Sequence, residues 1–340
     1  MEISNSVLDL GVDMGRYAVK AVAGSRSITF PAYAVPYEAP LLGIGMGQSP
    51  DILIGWGGNV WTVGEGAIRQ GDGNRPETAA WIETPEYLAL FRRALTDLVP
   101  ERWFHVNVVA GLPISDFRRD SEELRQALLQ VHTFRQGGQV VNAHVANLRI
   151  VPQAWGAVLA LLLNGDGSIA DADLLNQRIA VVDIGGHTAN LLTVKGLSDI
   201  PSESVSLNVG AWDVVRTVRQ FLAGLGEGFA SLNDHEVMRV CLAGRVWNGA
   251  KREWVDLHQV VQPKVEHLGR DIVEHARTFW HGGEAFDRLL LIGGGSYLWQ
   301  EVVERAFPQV NVLPEPEMAN ARGFAAFAAY LSQEGLWEQA

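Results

Sequence analysis

Val12-Asp13-Met14-Gly15 closes one apolar run of this chain, and Val182-Asp183-Ile184-Gly185 closes another, 170 positions later (183 − 13). Each run reads as a buried strand that halts on Asp-x-Gly and restarts as a second strand. A third signal, Leu289-Leu290-Leu291-Ile292-Gly293-Gly294-Gly295-Ser296, is a strand running straight into three glycines. One Asp-x-Gly is an ordinary turn. Two of them, each between strands and followed by a triple-glycine turn, point to two half-domains closing on a phosphorylated nucleotide.

The chemistry behind that reading is simple. Glycine lets a hairpin tip approach a phosphate without a Cβ in the way, and backbone amides at such a tip can face the phosphate oxygens. An aspartate just before the glycine projects from the strand end toward a magnesium ion, which it would hold through water. Lys20, seven residues after Asp13, lies on the outgoing strand with the reach for a phosphate oxygen. Phosphoryl transfer is mostly positioning and charge neutralisation, so the pattern requires no covalent nucleophile.

Composition narrows the class. A chain of 340 residues suits two domains. Its 47% hydrophobic and 19% charged residues are those of a globular protein. No window holds about eighteen unbroken apolar residues, so no membrane span is predicted. Met1-Glu2-Ile3-Ser4-Asn5 is acidic and unlike a signal peptide. Cys241 is single, which predicts no internal disulfide and a cytoplasmic address. A formal net charge of −12 argues against direct contact with nucleic acid or an anionic membrane.

Along the chain, strands are predicted at 7–12, 17–23 and 28–30, followed by an irregular loop over 31–50. A hairpin is expected across Gly57-Gly58, and a helix from Thr84-Pro85 to about Leu98. Then come a strand at 103–110, a helix near 121–131, strands through 139–151 and an apolar helix at 153–163. Residues 178–208 repeat the opening pattern as three strands. Helices at 211–222, 234–242 and 263–280, a strand at 289–292, a helix at 296–306, a strand at 310–313 and a helix at 318–331 complete the reading. The expected organisation is α/β. Lobe I spans 1–164, with an insertion subdomain at about 31–100 and a returning helix over 315–340; lobe II spans 165–314.

These landmarks resemble the actin superfamily. Asp13 to Lys20 is similar to its first phosphate motif, Asp183-Ile184-Gly185-Gly186-His187-Thr188 to its second, and Leu291–Ser296 to its adenosine motif. Val151-Pro152-Gln153-Ala154-Trp155-Gly156-Ala157 resembles the first connecting helix, and Ala319-Asn320-Ala321-Arg322-Gly323 the second connecting segment. Trp61–Ala67 is similar to a Val-Gly-x-x-Ala stretch of plasmid-borne relatives, so the ParM/StbA-type plasmid-segregation ATPases are the nearest group by resemblance.

The resemblance implies a duplicated actin-like (ribonuclease-H-like) fold with two lobes around a nucleotide cleft. It also implies a filament-forming ATPase that binds ATP (possibly GTP) with Mg²⁺ and reaches plasmid DNA through a DNA-binding adaptor. By position, Asp13 and Asp183 would order the magnesium waters and Gln153 would orient the lytic water. Gly15, Arg16, Tyr17, Lys20, Gly185, Gly186, His187 and Thr188 would take the phosphates. Gly210, Gly293, Gly294, Gly295, Ser296 and Asn320 would complete the nucleotide site. The chain departs from the pattern at Ala18-Val19, where relatives often carry small polar residues, at Arg16, an added cation, and at His187, a position usually small or hydroxylated.

Other readings stay open. A small-molecule kinase on the same fold would need a carboxylate base, which Gln153 is not. A membrane-associated cytoskeletal adaptor of the FtsA or PilM kind would want a lipid-binding helix, whereas Gln333–Ala340 is acidic. A chaperone would need a peptide-binding domain after residue 331. Gln153 could simply cap the apolar helix. Gly43–Gly47 imitates a dinucleotide fingerprint but lacks its strand and helix, and Asp271–His275 has Asp where a zinc helix needs His.

Overall fold

The computed structural model describes residues 7–39, 52–70 and 81–337. They divide into two compact units: residues 1–112, 116–169 and 320–340 form the first, and 113–115 with 170–319 the second.

In the first unit the chain opens as β1 (Leu8–Met14), β2 (Ala18–Ala23) and β3 (Arg26–Pro31), followed by β4 (Ala34–Pro36), β5 (Ile52–Trp56) and β6 (Asn59–Val63). Helix α1 (Glu65–Gln70) and α2 (Pro85–Leu98) precede β7 (Trp103–Leu112). Helix α3 (Ile114–Leu128), β8 (Val131–Gln136), β9 (Gln139–Pro152) and α4 (Trp155–Leu162) complete the run. One nine-stranded sheet results, ordered β3-β2-β1-β7-β9-β8-β5-β6-β4. Helix α2 starts as its sequence dictates: Thr84 accepts the Tyr87 amide and Pro85 stands in the first turn. Its buried face, with Leu90, Phe91 and Leu95 fully enclosed, packs into the core shared with Leu10, Val12, Val106 and Val108.

The second unit holds β10 (Arg178–Ile184), β11 (Ala189–Lys195), β12 (Ser198–Asp199) and β13 (Val205–Leu207), then α5 (Ala211–Leu225) and α6 (Asp234–Ala243). A separate hairpin, β14 (Arg245–Asn248) and β15 (Glu253–Asp256), leads to α7 (His258–Trp280), β16 (Arg288–Ile292), α8 (Ser296–Ala306) and β17 (Val310–Val312). The sheet order is β12-β11-β10-β16-β17, with β13 also on β11. Strands β1 and β10 play the same part, each antiparallel to its successor and parallel to a later strand, β7 or β16. The duplication seen in the sequence is thus a duplication of sheet topology.

Helix α9 (Ala319–Gln333) ends the fold against the first unit's sheet. The approach is close enough to require glycine: a Cβ on Gly11 would lie 2.2 Å from the Ala325 nitrogen. Helices α4 and α9 meet the same way, since a Cβ on Gly156 would lie 2.4 Å from Asn320 Cα and one on Gly323 would overlap the Gly156 carbonyl.

Several boundaries differ from expectation. The 31–50 stretch is not all loop: Ala34–Pro36 pairs with β6, three residues too few to alternate visibly. The Gly43–Gly47 reading lies outside the described residues. Helix α3 begins at Ile114 rather than 121, because its apolar stripe starts at Phe117 and is diluted by charges. Val131–Gln136, part of it read as helix end, is strand β8, buried at alternate positions. Pro263 sits inside α7 instead of starting it. Among the described residues no helix is long and apolar enough to cross a membrane.

Candidate functional site

Both Asp-x-Gly motifs form the tip of a hairpin with the same register. Met14 faces Val19 and Asp13 faces Lys20 in the first; Ile184 faces Ala189 and Asp183 faces Asn190 in the second. Four residues therefore make each turn, Gly15 to Ala18 and Gly185 to Thr188. The first glycine is needed, since a Cβ at Gly15 would sit 2.9 Å from the Ala18 carbonyl oxygen; at Gly185 a Cβ would be a tight fit, 3.3 Å from that of Thr188. Gly15, Arg16, Tyr17, Gly185, Gly186, His187 and Thr188 are all half-buried, while the aspartates beneath them are buried, Asp13 at 2% and Asp183 at 3% exposure.

At the first tip Asp13 is held by two side chains. The Lys20 ammonium lies 3.3 Å from Asp13 Oδ2, and the Gln153 amide donates to Asp13 Oδ1. Gln153 reaches this point because its own backbone nitrogen donates to the Leu112 carbonyl, extending the β7–β9 ladder by one residue. It stands ahead of α4, whose N-terminus has no side-chain cap, so capping is not its role. The Tyr87 hydroxyl, on the buried face of α2, is pushed well above its ordinary range by burial and, secondarily, by the charge of Asp13.

The second tip is braced from behind. The first amides of α5 donate to it, Ala211 to the Gly185 carbonyl and Trp212 to that of Gly186. A Cβ on Gly210 would lie 2.4 Å from the Gly186 carbonyl oxygen. Gly210 thus supports the turn from the helix side, and Asp213 fixes it by accepting the Gly210 amide at 2.9 Å. The Gly185 amide closes the turn on Thr188 at 2.8 Å.

The triple glycine packs onto this second tip. Gly293 adopts φ +84°, and a Cβ there would lie 2.4 Å from the Ile184 carbonyl oxygen and 2.6 Å from Asp183 Oδ1. The Gly295 amide donates to the same Ile184 carbonyl. Gly293 and Gly295 are buried, whereas Gly294 faces open space. Ser296 is buried and its hydroxyl donates to the Gly293 carbonyl at 2.6 Å, so it shapes the turn. Asn320 is placed at the α4–α9 crossing, 3% exposed, beside Gly156. Sequence reasoning missed Asn190, whose Oδ1 accepts the Ser206 hydroxyl at 2.6 Å; only its cross-strand position could have flagged it.

Each tip, taken by itself, has donors of the kind a magnesium nucleotide takes. Bare glycine turns leave room for phosphates, and the buried carboxylates are hard oxygen donors. No group of three or more His, Cys, Asp or Glu stands together among the described residues. Mg²⁺ keeps several waters and takes one or two carboxylates plus phosphate oxygens, and the carboxylate beneath each tip is a donor of that kind.

Comparison with known proteins follows the same lines. Residues 11–156 match the family described as the N-terminal domain of actin-like proteins, and residues 181–305 the C-terminal domain of archaeal MreB-like actin homologues. No functionally curated protein matches the chain. Among solved structures, a ParM in a 15-stranded filament from Clostridium botulinum superposes with a TM-score of 0.78 at 19% identity, covering 95% of this chain and 99% of that one. The archaeal actin homologue Ta0583, in complex with ADP, gives 0.74 at 22% identity over 94% and 98% of the two chains. The actin-like protein Alp7A gives 0.73 at 14% identity over 98% and 99%. At such identities these structures establish the fold, a mixed α/β architecture of two domains. With both halves matching actin-like domain families in the right order, the chain belongs to the actin-like proteins.

Proposed function

We propose that this protein is a nucleotide-dependent, filament-forming ATPase of the ParM type, which assembles with copies of itself and is linked to plasmid DNA by an adaptor. The observation that carries the reading is the matched pair of hairpin tips, each with a buried aspartate before a glycine turn in the same register. The filament-forming relatives of the same fold, and one with bound ADP, support it.

In this reading the Lys20 ammonium pairs with a phosphate oxygen, and amides from Gly15 to Tyr17 and from Gly186 to Thr188 donate to the others. Asp13 and Asp183 hold the hydration shell of Mg²⁺, which when bound neutralises charge on the phosphates. Gln153 exchanges its bond to Asp13 for the attacking water and orients it in line, as positioning glutamines do in other phosphoryl-transfer sites. Gly293, Gly294 and Gly295 take the nucleoside end, with Ser296 keeping their turn in shape.

Light scattering after addition of ATP and Mg²⁺ tests the assembly. Scattering should rise at about tens of micromolar protein, since individual lateral contacts are weak, and Asp183→Ala should abolish turnover. Absence of polymer together with phosphoryl transfer to a small-molecule acceptor would replace this reading with a kinase.

A further inference from the structure

Far along β7 and β9 from the glycine tips, two histidines face one another. His105 and His144 are cross-strand partners in the parallel β7–β9 pair. Their Nδ1 atoms lie 2.8 Å apart, with ring centroids separated by 4.9 Å at 70°. Both rings are half-buried. The surrounding surface is open: Trp103, whose ring meets His105 edge-on at 4.7 Å, is 51% exposed, and Val131, opposite His144 on β8, is 56% exposed. Nothing assigned to the nucleotide site involves these residues.

Two neutral imidazoles in this geometry share a single proton, one Nδ1–H donating to the other Nδ1. Two such nitrogens on adjacent strands also make a chelate. Metal–nitrogen bonds of ~2.0–2.1 Å spanning 2.8 Å subtend about 85° at the ion. That is close to the cis angle of tetragonal or octahedral coordination, whereas a tetrahedral ion would want the nitrogens about 3.3 Å apart. Nitrogen and oxygen ligands in tetragonal array suit Cu²⁺ or Ni²⁺, and the chain's net charge of −12 favours a cation.

We infer that His105 and His144 form a surface chelate for one tetragonal transition-metal ion, Cu²⁺ or Ni²⁺, bound through both Nδ1 atoms and completed by water. No third His, Cys, Asp or Glu joins them among the described residues, so the remaining positions belong to solvent. On binding, the proton shared between the Nδ1 atoms moves to Nε2 of its own ring, which leaves both imidazoles neutral. The ion then ties β7 to β9 at the end of the ladder remote from Gln153.

The experiment uses the whole chain without a histidine tag. Cu²⁺ is titrated by calorimetry and by quenching of tryptophan emission, because a paramagnetic ion at His105 sits beside the Trp103 ring. Wild type should bind one equivalent; His105→Gln and His144→Gln should each weaken it about tenfold or more, as loss of a ligand must exceed loss of an outer-shell partner. His267→Gln, at an exposed histidine 3.9 Å from Asp271, should leave it unchanged. Trp103→Phe should reduce the quenching but not the calorimetric binding. Undetectable wild-type binding, or binding that survives either Gln substitution, overturns the inference.

Discussion

Lys20 and Asn190 occupy one position in two copies of the same hairpin: each lies directly across the strand from the aspartate that precedes the glycine turn. The equivalence ends there. Lys20 is ion-paired with Asp13 at 3.3 Å, whereas Asn190 is buried and accepts from the Ser206 hydroxyl and, at 3.4 Å, from the Ile114 amide. One tip carries an ion-paired cation and the other a buried neutral acceptor. In the proposed function, charge neutralisation of a phosphate therefore falls to the first tip, while the second is fixed by its own hydrogen bonds.

Replacing the cation should accordingly cost binding. Lys20→Met is expected to weaken ATP about 10–100-fold, the range of a charge-assisted hydrogen bond. Asn190→Ala should leave affinity close to wild type and lower thermal stability. Titration with a fluorescent ATP analogue separates the two, and equal losses in both variants would contradict the division of labour.

The three glycines should not respond alike. Gly293→Ala combines a φ of +84° with a Cβ overlapping the Ile184 carbonyl and crowding Asp183, so a loss of about 2 kcal/mol or more is expected. At Gly294 the nearest atom is Glu317 Cβ at 4.0 Å, and Ala there should be tolerated. Denaturant unfolding of both variants checks this; equal stabilities would count against the packing described.

What the sequence disclosed follows from what it encodes locally. Apolar runs broken by Asp-x-Gly expose the strand–turn–strand units, and Thr84-Pro85 announces α2 directly. Partners distant in sequence are not encoded that way. Whether Gln153 capped α4 or reached Asp13 depended on the β7–β9 register, set by residues 103–112 and 142–152. Likewise Gly210 gains its role only from the backbone of Gly186 and His187 folded against it. Short strands such as Ala34–Pro36 and the β14–β15 hairpin lack the length for a period to show, and their pairing alone defines them.

Gln153 offers a test of positioning as distinct from binding. Gln153→Ala should leave nucleotide affinity nearly unchanged and reduce turnover about a hundredfold, the scale of a misplaced attacking water. Steady-state phosphate release with parallel binding measurements reads both. Unchanged turnover would remove Gln153 from the chemistry.

His132 links stability to pH. It is 1% exposed, next to Phe91, with Nε2 bonded to the Leu128 carbonyl at 2.9 Å. Burial above all, with Arg92 acting the same way, lowers its pKa from 6.5 to about 4. The unfolded chain takes up the proton below its pKa of about 6.5, while the folded chain resists until about 4. The stabilisation is thus complete above pH ~6.5 and lost as pH falls toward 4, about 3 kcal/mol in all. Urea unfolding at pH 7 and pH 4.5 should show a smaller pH effect in His132→Gln than in wild type; identical differences would be contrary evidence.

The proposed function has Asp13 and Asp183 serve one hydrated magnesium and one polyphosphate. A double-mutant cycle in Mg²⁺–ATP affinity, with Asp13→Asn, Asp183→Asn and the double variant, measures it directly. Shared service of one ion predicts strong non-additivity, with a coupling of about 1 kcal/mol or more and a double variant scarcely weaker than either single. Strictly additive losses, or a single variant that binds like wild type, would contradict the account.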